Sequence, residues 1–325
     1  MKKKRSSSLL RWFIWAIAIQ LILINISAAF YAYKLTHFYQ DKTVRDPFKT
    51  ENIFGKTWRL FTGPRFQKSM ITELPNFKYD EIKLKTHNGT ILDGWYTEAD
   101  STSRGTVILF HGVTSSKDKL LSEAYEFRYW GYNVLMMDFR GHGNSSGNTT
   151  TVGIRESEDV KIAYDFVKSK GEDSVFLYGI SMGAVAVIKA ISDYDLKPAG
   201  AILEMPFLSM QTQLRARARL LGFRGFSEKP FGFLVAGWIS IERGTNAYKF
   251  KTPRYAAKIN CPVLMQWGAS DPLIYRDDTE KIFNSIGASN KKLVIYDHAG
   301  HESLLQNEPA KWRNQVGYFL GIEEH

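Results

Sequence analysis

The chain has a single cysteine, Cys261, among 325 residues. One thiol excludes an internal disulfide framework and every zinc site built from several thiolates. Acidic residues are the scarcer charge, 33 against 43 lysines and arginines, and the first eleven residues contain none. Lys2, Lys3, Lys4, Arg5 and Arg11 carry half of the formal net charge of +10, so the remainder is only mildly basic. A basic face interleaved with aromatics and a recognisable reader motif are both missing, which argues against nucleic-acid binding. Sequence repeats at a fixed period are missing too, which excludes a solenoid. The composition, 44% hydrophobic and 14% aromatic, supports a substantial core.

Only one long stretch lacks charge. Trp12 to Tyr33 runs 22 residues with Gln20, Asn25 and Ser27 as its polar members. At 1.5 Å per residue this reaches across a hydrocarbon layer of about 30 Å, and it reads as a transmembrane helix. The basic segment 1–11 before it predicts a cytoplasmic amino terminus and a domain on the opposite side, periplasmic or extracellular in a bacterium. Ser27-Ala28-Ala29 resembles a signal-peptide cleavage site, so a cleaved leader is the competing reading. The apolar run continues past that site and is long for a leader, which favours an uncleaved anchor. Residues 34–76, broken by Pro47, Gly55, Gly63, Pro64 and Pro75, are expected to form an irregular tether.

From residue 77 the punctuation becomes regular. Segments 77–86 and 90–98 flank Asn88-Gly89, a hairpin signal. Strand patterns follow at Thr106 to Phe110, Asn133 to Asp138, Ser174 to Tyr178, Ala201 to Glu204, Val263 to Trp267 and Lys292 to Tyr296. Helical patterns lie near 117–130, 153–169, 182–192, 276–286 and 308–319. Short apolar strands alternating with amphipathic helices predict an α/β domain over 77–325, with a mainly parallel eight-stranded sheet covered on both faces. The stretch 211–256 breaks this rhythm and is expected to form a cap above the carboxyl edge of the sheet.

The chemistry begins at Gly179-Ile180-Ser181-Met182-Gly183. A serine on a tight strand-to-helix turn needs small neighbours, and Gly179 and Gly183 supply them. A serine hydroxyl is a weak nucleophile at neutral pH and needs a base with an orienting acid. Asp271 and His301 each follow an apolar strand, so both fall in loops at the same sheet edge as Ser181. His301 is the expected base, since Gly300 and the helical pattern after it suit a loop tip; His298 is the expected neighbour. Asp277 and Asp278 are alternative acids that fall within a predicted helix. His298, His301 and Glu302 lack a second ligand cluster, so no metal site is expected.

The oxyanion of acyl transfer must meet backbone amides. Met182, after the nucleophile, and Val113, in the loop His111-Gly112-Val113, are the expected donors. His111 is expected to shape that loop by hydrogen bonding.

Leu109-Phe110-His111-Gly112, Asp138 to Gly147, Gly179 to Gly183, Asp271-Pro272 and Gly300-His301 together make the chain resemble the α/β-hydrolase family over residues 77–321. The loop Asp138 to Gly147 is similar to that of monoacylglycerol lipases, lysophospholipases and membrane-anchored BEM46-like or ABHD-type hydrolases, and the chain as a whole resembles the serine aminopeptidase S33 and monoacylglycerol-lipase-like group. The resemblance implies a Ser181-His301-Asp271 hydrolase that works through an acyl-enzyme on carboxylic esters or thioesters, needs no cofactor, and takes lipid-like or other small acyl substrates at a membrane bilayer. A peptidase of the same fold is the alternative, favoured if Glu204 or Glu242 faces a substrate amine. A non-catalytic tethered binding protein is the third. Within the cap, Leu220, Leu221, Phe223, Phe226, Phe231, Phe233, Leu234, Val235 and Trp238 are expected to line an acyl pocket, face the bilayer or pack the cap. Arg215, Arg217, Arg219 and Arg224 are expected to meet anionic headgroups or form a solvated face.

Overall fold

The structure, a computed structural model, describes residues 3–40, 53–100, 102–220 and 228–322. It opens with two helices, α1 (Lys3–Thr36) and α2 (Ile53–Thr62). Eight strands follow: β1 (Asp80–Lys85), β2 (Ile91–Thr97), β3 (Thr106–Phe110), β4 (Asn133–Met137), β5 (Val175–Ile180), β6 (Gly200–Glu204), β7 (Val263–Gly268) and β8 (Lys291–Tyr296). Between and after them lie α3 (Leu121–Tyr129), α4 (Glu156–Ser169), α5 (Met182–Tyr194), α6 (Met210–Leu220), α7 (Glu228–Arg243), α8 (Thr252–Ala256), α9 (Arg276–Ser285), α10 (Leu304–Asn307) and α11 (Pro309–Phe319). The helix expected near 117–130 is divided, with a 3₁₀ turn at Lys117–Leu120 leading into α3.

The sheet order is β1-β2-β4-β3-β5-β6-β7-β8. The pairs β1–β2 and β2–β4 are antiparallel, and from β4 through β3 to β8 every pairing is parallel. Parallel strands covered on both faces need apolar side chains pointing both ways. Thr106–Phe110, Gly200–Glu204 and Val263–Gly268 are accordingly buried at every position. Two clusters of buried side chains, one on each face of the sheet, form the core. The chain runs from β3 to β4 on one side and returns to β5 on the other, so the strand order reverses at β3. In open α/β sheets such a reversal leaves a crevice at the carboxyl ends of the strands.

Ser8–Thr36 is long and apolar enough to cross a membrane, with a mean hydropathy of 2.2 in its most apolar window. Its first part exposes Leu9, Trp12, Phe13 and Trp15. Its last part does not: Ala28, Tyr31, Ala32 and Leu35 belong to the main core cluster. The element α1 meets most extensively is α7. Tyr31 and Phe231 stack edge to face, 4.9 Å between centroids, and Arg243 Nη2 donates to His37 Nε2 at 2.6 Å.

The expectation of a tether over 34–76 is corrected in its described parts. Lys34 Nζ donates to Thr62 Oγ1 and the Gly63 carbonyl, and Tyr31 Oη donates to the Leu60 carbonyl, which fastens α2 to α1. Phe38 is 1% exposed, and its amide donates to the Asn148 carbonyl. Lys68 Nζ donates to the carbonyls of Ser145 and Gly147, and Thr72 donates twice to Asp118 Oδ2. The breakers misled because α2 forms inside the segment and is fastened to α1, while Phe38, Lys68 and Thr72 bond to the domain body. The expected cap over 211–256 consists of α6, α7 and α8; its residues Leu221, Phe223, Arg224 and Phe226 lie outside the described residues.

Candidate active site

Ser181 occupies the turn between β5 and α5 with φ +53° and ψ −109°. A non-glycine residue at positive φ costs on the order of 1–3 kcal/mol and persists only where its surroundings over-determine it. Here the Ser181 amide donates to the Glu204 carbonyl at 2.8 Å, tying the turn to the end of β6. Gly183 makes the turn sterically feasible, since a Cβ there would lie 2.3 Å from the Phe110 carbonyl oxygen. Gly179 is packed in the same way against the backbone of Gly183 and Ala184.

Two more loops meet this turn. The loop after β7 carries Asp271, and the loop after β8 carries His301. A Cβ on Gly268 would come 2.4 Å from the Ala299 carbonyl oxygen, so only glycine lets the loops touch. They are laced together by Ala269 N–H to the Tyr296 carbonyl and Ser270 N–H to the Ala299 carbonyl. That lacing fixes one side chain relative to the other. His301 Nδ1 lies 2.7 Å from Asp271 Oδ2, and His301 Nε2 lies 3.0 Å from Ser181 Oγ. A carboxylate accepts only, so Nδ1 carries the proton and donates, leaving the Nε2 lone pair to accept from the serine hydroxyl. Asp271 is 5% exposed, and its Oδ1 accepts the amides of Leu273 and Ile274. This carboxylate is fully engaged by hydrogen-bond donors.

The loop after β3 closes the crevice. Gly112 faces the serine, and a Cβ built on it would lie 3.7 Å from Ser181 Cβ. His111 is completely buried between two partners: Nδ1 donates to the Gly112 carbonyl at 2.6 Å, and Nε2 accepts the Phe139 amide at 3.1 Å. Burial pushes its pKa down to about 4, so the ring is neutral at pH 7. Val113 follows Gly112 in this loop. Met182 opens α5, where the first-turn N–H groups have no intrahelical acceptor.

His298 is exposed, and its amide donates to Glu308 Oε1. Asp277 and Asp278 lie in the first turn of α9. Glu204 points into the core, where its Oε1 accepts from Trp312 Nε1 at 2.7 Å and Gln266 Nε2 at 3.1 Å. Burial raises its pKa to about 8. Glu242 lines a groove between α7 and the α1 residues Leu21 to Tyr33. Arg215 and Arg219 pair with Glu228 instead of forming a solvated face.

Two supporting clusters escaped the sequence reading. Lys117 is wholly buried, its Nζ donating to Asp93 Oδ1 and Asp138 Oδ2 at 2.6 Å each and its amide donating to Asp138 Oδ1, which anchors the far end of the His111 loop. Glu123 Oε1 accepts from Ser303 Oγ at 2.6 Å, two residues after His301. A lysine and a glutamate within a helical pattern read as surface charges, and nothing local distinguishes buried ones.

Fold and site together define an α/β-hydrolase. The family model described as serine aminopeptidase S33 matches residues 101–230 and 245–310, well over half of the chain, and the protein belongs to that family. Among its relatives is the lysophosphatidylserine lipase ABHD12 of Xenopus tropicalis, 26% identical over 209 residues, a match covering 62% of this chain and 52% of the frog protein. The chain thus spans about half the length of that relative. The Bacillus subtilis protein YqkD, uncharacterized, is 27% identical over 228 residues, covering 69% of this chain and 74% of its own. Among solved structures, the Pyrococcus furiosus esterase Pf2001 superposes with a TM-score of 0.64 at 25% identity, covering 79% of this chain and 98% of the esterase. The chain is an ABHD-type α/β-hydrolase with lipase and esterase relatives.

Proposed function

We propose that the protein is a serine hydrolase held to the membrane by α1, cleaving carboxylic esters or thioesters of lipid-like or other acyl substrates through an acyl-enzyme. The observation that carries this reading is the continuous hydrogen-bonded chain from Ser181 Oγ through His301 to Asp271. In the proposed reaction Ser181 Oγ attacks the acyl carbon as His301 Nε2 takes its proton. The resulting oxyanion meets the amides of Met182 and Val113. Collapse expels the alcohol or thiol, which leaves with the proton returned by His301. Water, deprotonated by His301, then attacks the acyl-enzyme and releases the carboxylate and free Ser181. Asp271 keeps the imidazole in the productive tautomer and supports its transient charge.

The basic residues before α1 favour a cytoplasmic amino terminus and an extracytoplasmic hydrolase domain. The family description favours a second reading, a peptidase. Against it, Glu204 points into the core, where its Oε1 accepts from Trp312 and Gln266, and Glu242 lines the groove between α7 and α1; neither carboxylate bonds to Ser181, His301 or Asp271 among the described residues. The deciding experiment compares the full chain with Ser181→Ala on p-nitrophenyl esters from C2 to C16 and on aminoacyl anilides. Ester turnover lost in the variant supports the reading. Turnover confined to anilides would replace it with the peptidase, and identical rates in both proteins would leave a non-catalytic role.

A further inference from the structure

Arg217 stands apart from the other arginines of α6. Arg215 and Arg219 on either side of it both reach Glu228, at 3.5 and 3.1 Å. Arg217 has no carboxylate partner among the described residues; its Nε is buried without a hydrogen-bond partner, and its guanidinium lies 5.9 Å from the Phe66 ring. Arg217 as a whole is partly exposed, and desolvation of its guanidinium pushes the pKa down to about 10, a cost that an anionic partner would offset. Such a cation calls for an anion that the described residues do not supply.

The space beside it is built for one. Arg217 lines a cavity of about 570 Å³, within the range of small-molecule sites. Tyr31 and Leu35 of α1, Leu60 of α2, Leu214 of α6, and Phe231 and Val235 of α7 supply its apolar wall. Arg59 and Arg65 also line it, and among the described residues no acidic side chain does. Leu273, whose amide donates to Asp271 Oδ1, is part of the same wall, so the cavity borders the loop that holds the proposed triad acid. Two of its sides come from outside the common family body. The matched stretches 101–230 and 245–310 skip residues 231–244, which is most of α7, and they begin after α1 and α2. Much of the cavity wall thus lies outside the stretches that the family model matches, and one of its walls is the helix expected to lie in the membrane.

We propose that this cavity binds a long-chain fatty acid, with the carboxylate on Arg217 and the hydrocarbon chain between α1 and α7, reached from the bilayer. The planar guanidinium fork matches a carboxylate in geometry and in unit charge. The choice of a carboxylate over other anions rests on the proposed ester hydrolysis, which releases one. Neutral amphiphiles lack the charge, and a phosphate monoester, which Arg59 and Arg65 would help to neutralise, is the rival anion that the test includes.

The test uses the full chain carrying Ser181→Ala in phosphatidylcholine nanodiscs, labelled with a photoreactive C16 fatty acid and mapped by mass spectrometry. Palmitate, hexadecanol and hexadecyl phosphate serve as competitors. The expected labels fall in 210–220 and 228–243, and palmitate competes at least about tenfold better than hexadecanol, the scale of one charge-assisted contact. Arg217→Gln should weaken labelling by about tenfold and Arg217→Lys by less. Val235→Trp, which fills the cavity and leaves the charge alone, should abolish it, and thermal melting verifies that each variant is folded. Equal competition by hexadecanol, stronger competition by hexadecyl phosphate, or undiminished labelling in folded Arg217→Gln or Val235→Trp would overturn the proposal. Binding is read without turnover, so labelling in a chain that hydrolyses no ester would sink the proposed function alone, and turnover without labelling would sink this inference alone.

Discussion

The two oxygens of Asp271 have separate tasks: Oδ2 accepts from His301 Nδ1 at 2.7 Å, while Oδ1 is held by the amides of Leu273 and Ile274. The carboxylate is thus aimed by the backbone before it aims the histidine. Asp271→Asn preserves the shape, but its amide nitrogen can face His301 and reverse the tautomer. We expect ester turnover to fall by roughly 10³–10⁴-fold with little change in KM, measured on the best p-nitrophenyl ester. A loss below tenfold would show that His301 does not depend on this acid.

Gly183→Ala tests the turn itself. A methyl group there would meet the Phe110 carbonyl oxygen at 2.3 Å, and backbone on both sides leaves nothing flexible to yield. Overpacking of this kind costs typically about 1–3 kcal/mol. The expected result is a lower melting temperature together with loss of labelling of Ser181 by a fluorophosphonate. Normal labelling would mean that the turn relaxes without moving the serine.

Removing residues 1–33 should damage the domain and not merely release it. Ala28, Tyr31 and Ala32 are 0%, 8% and 0% exposed, and their loss uncovers Phe231 on α7. Loss of one large buried aromatic costs about 3–5 kcal/mol. A chain beginning at residue 34 is expected to melt well below the full chain in detergent, with increased binding of a hydrophobic dye. Equal melting temperatures would show that α1 is dispensable to the fold.

His111 and Glu204 set opposite pH dependences. With its pKa lowered to about 4, His111 is neutral when folded and takes up a proton near pH 6.5 when unfolded, so it contributes stability above pH 6.5 that is lost as pH falls toward 4. Chemical denaturation at pH 7 and pH 4.5 should show the decrease, and His111→Asn should show a smaller one.

Glu204 works the other way. Its pKa is raised to about 8, so the folded state keeps a proton that the unfolded state releases above about 4.5. Its contribution is fully present below pH 4.5 and declines as pH rises to 8. Glu204→Gln should flatten stability between pH 5 and 8, and an unchanged slope across that window would place the titration elsewhere.

How much of this was readable beforehand depends on the range of the interaction. The parallel strands were legible because residues such as Thr106 to Phe110 are apolar at successive positions, and a strand buried on both faces demands that locally. Ser181 was legible because a serine on a tight turn requires glycine two residues away on either side, a constraint written within five residues. Asp271 and His301 followed from their places just after strands, since the topology delivers the ends of parallel strands to one edge.

What the sequence could not carry were contacts between distant segments. Breakers in 53–76 announced irregularity, but only the folded domain offers the Ser115, Asp118, Ser145 and Gly147 groups that fasten Ser69, Thr72 and Lys68. Lys117 and Glu123 read as solvated charges, because burial is a property of what packs on top and has no local period. The apolar run at Trp12 to Tyr33 by itself determined a membrane-length helix. Only tertiary structure decided that its last turns turn away from that role, where Tyr31 and Leu35 join α7 to wall a cavity around the charge of Arg217. Apolar side chains satisfy lipid and protein equally well, so the sequence records their hydrophobicity and leaves the choice of neighbour to packing.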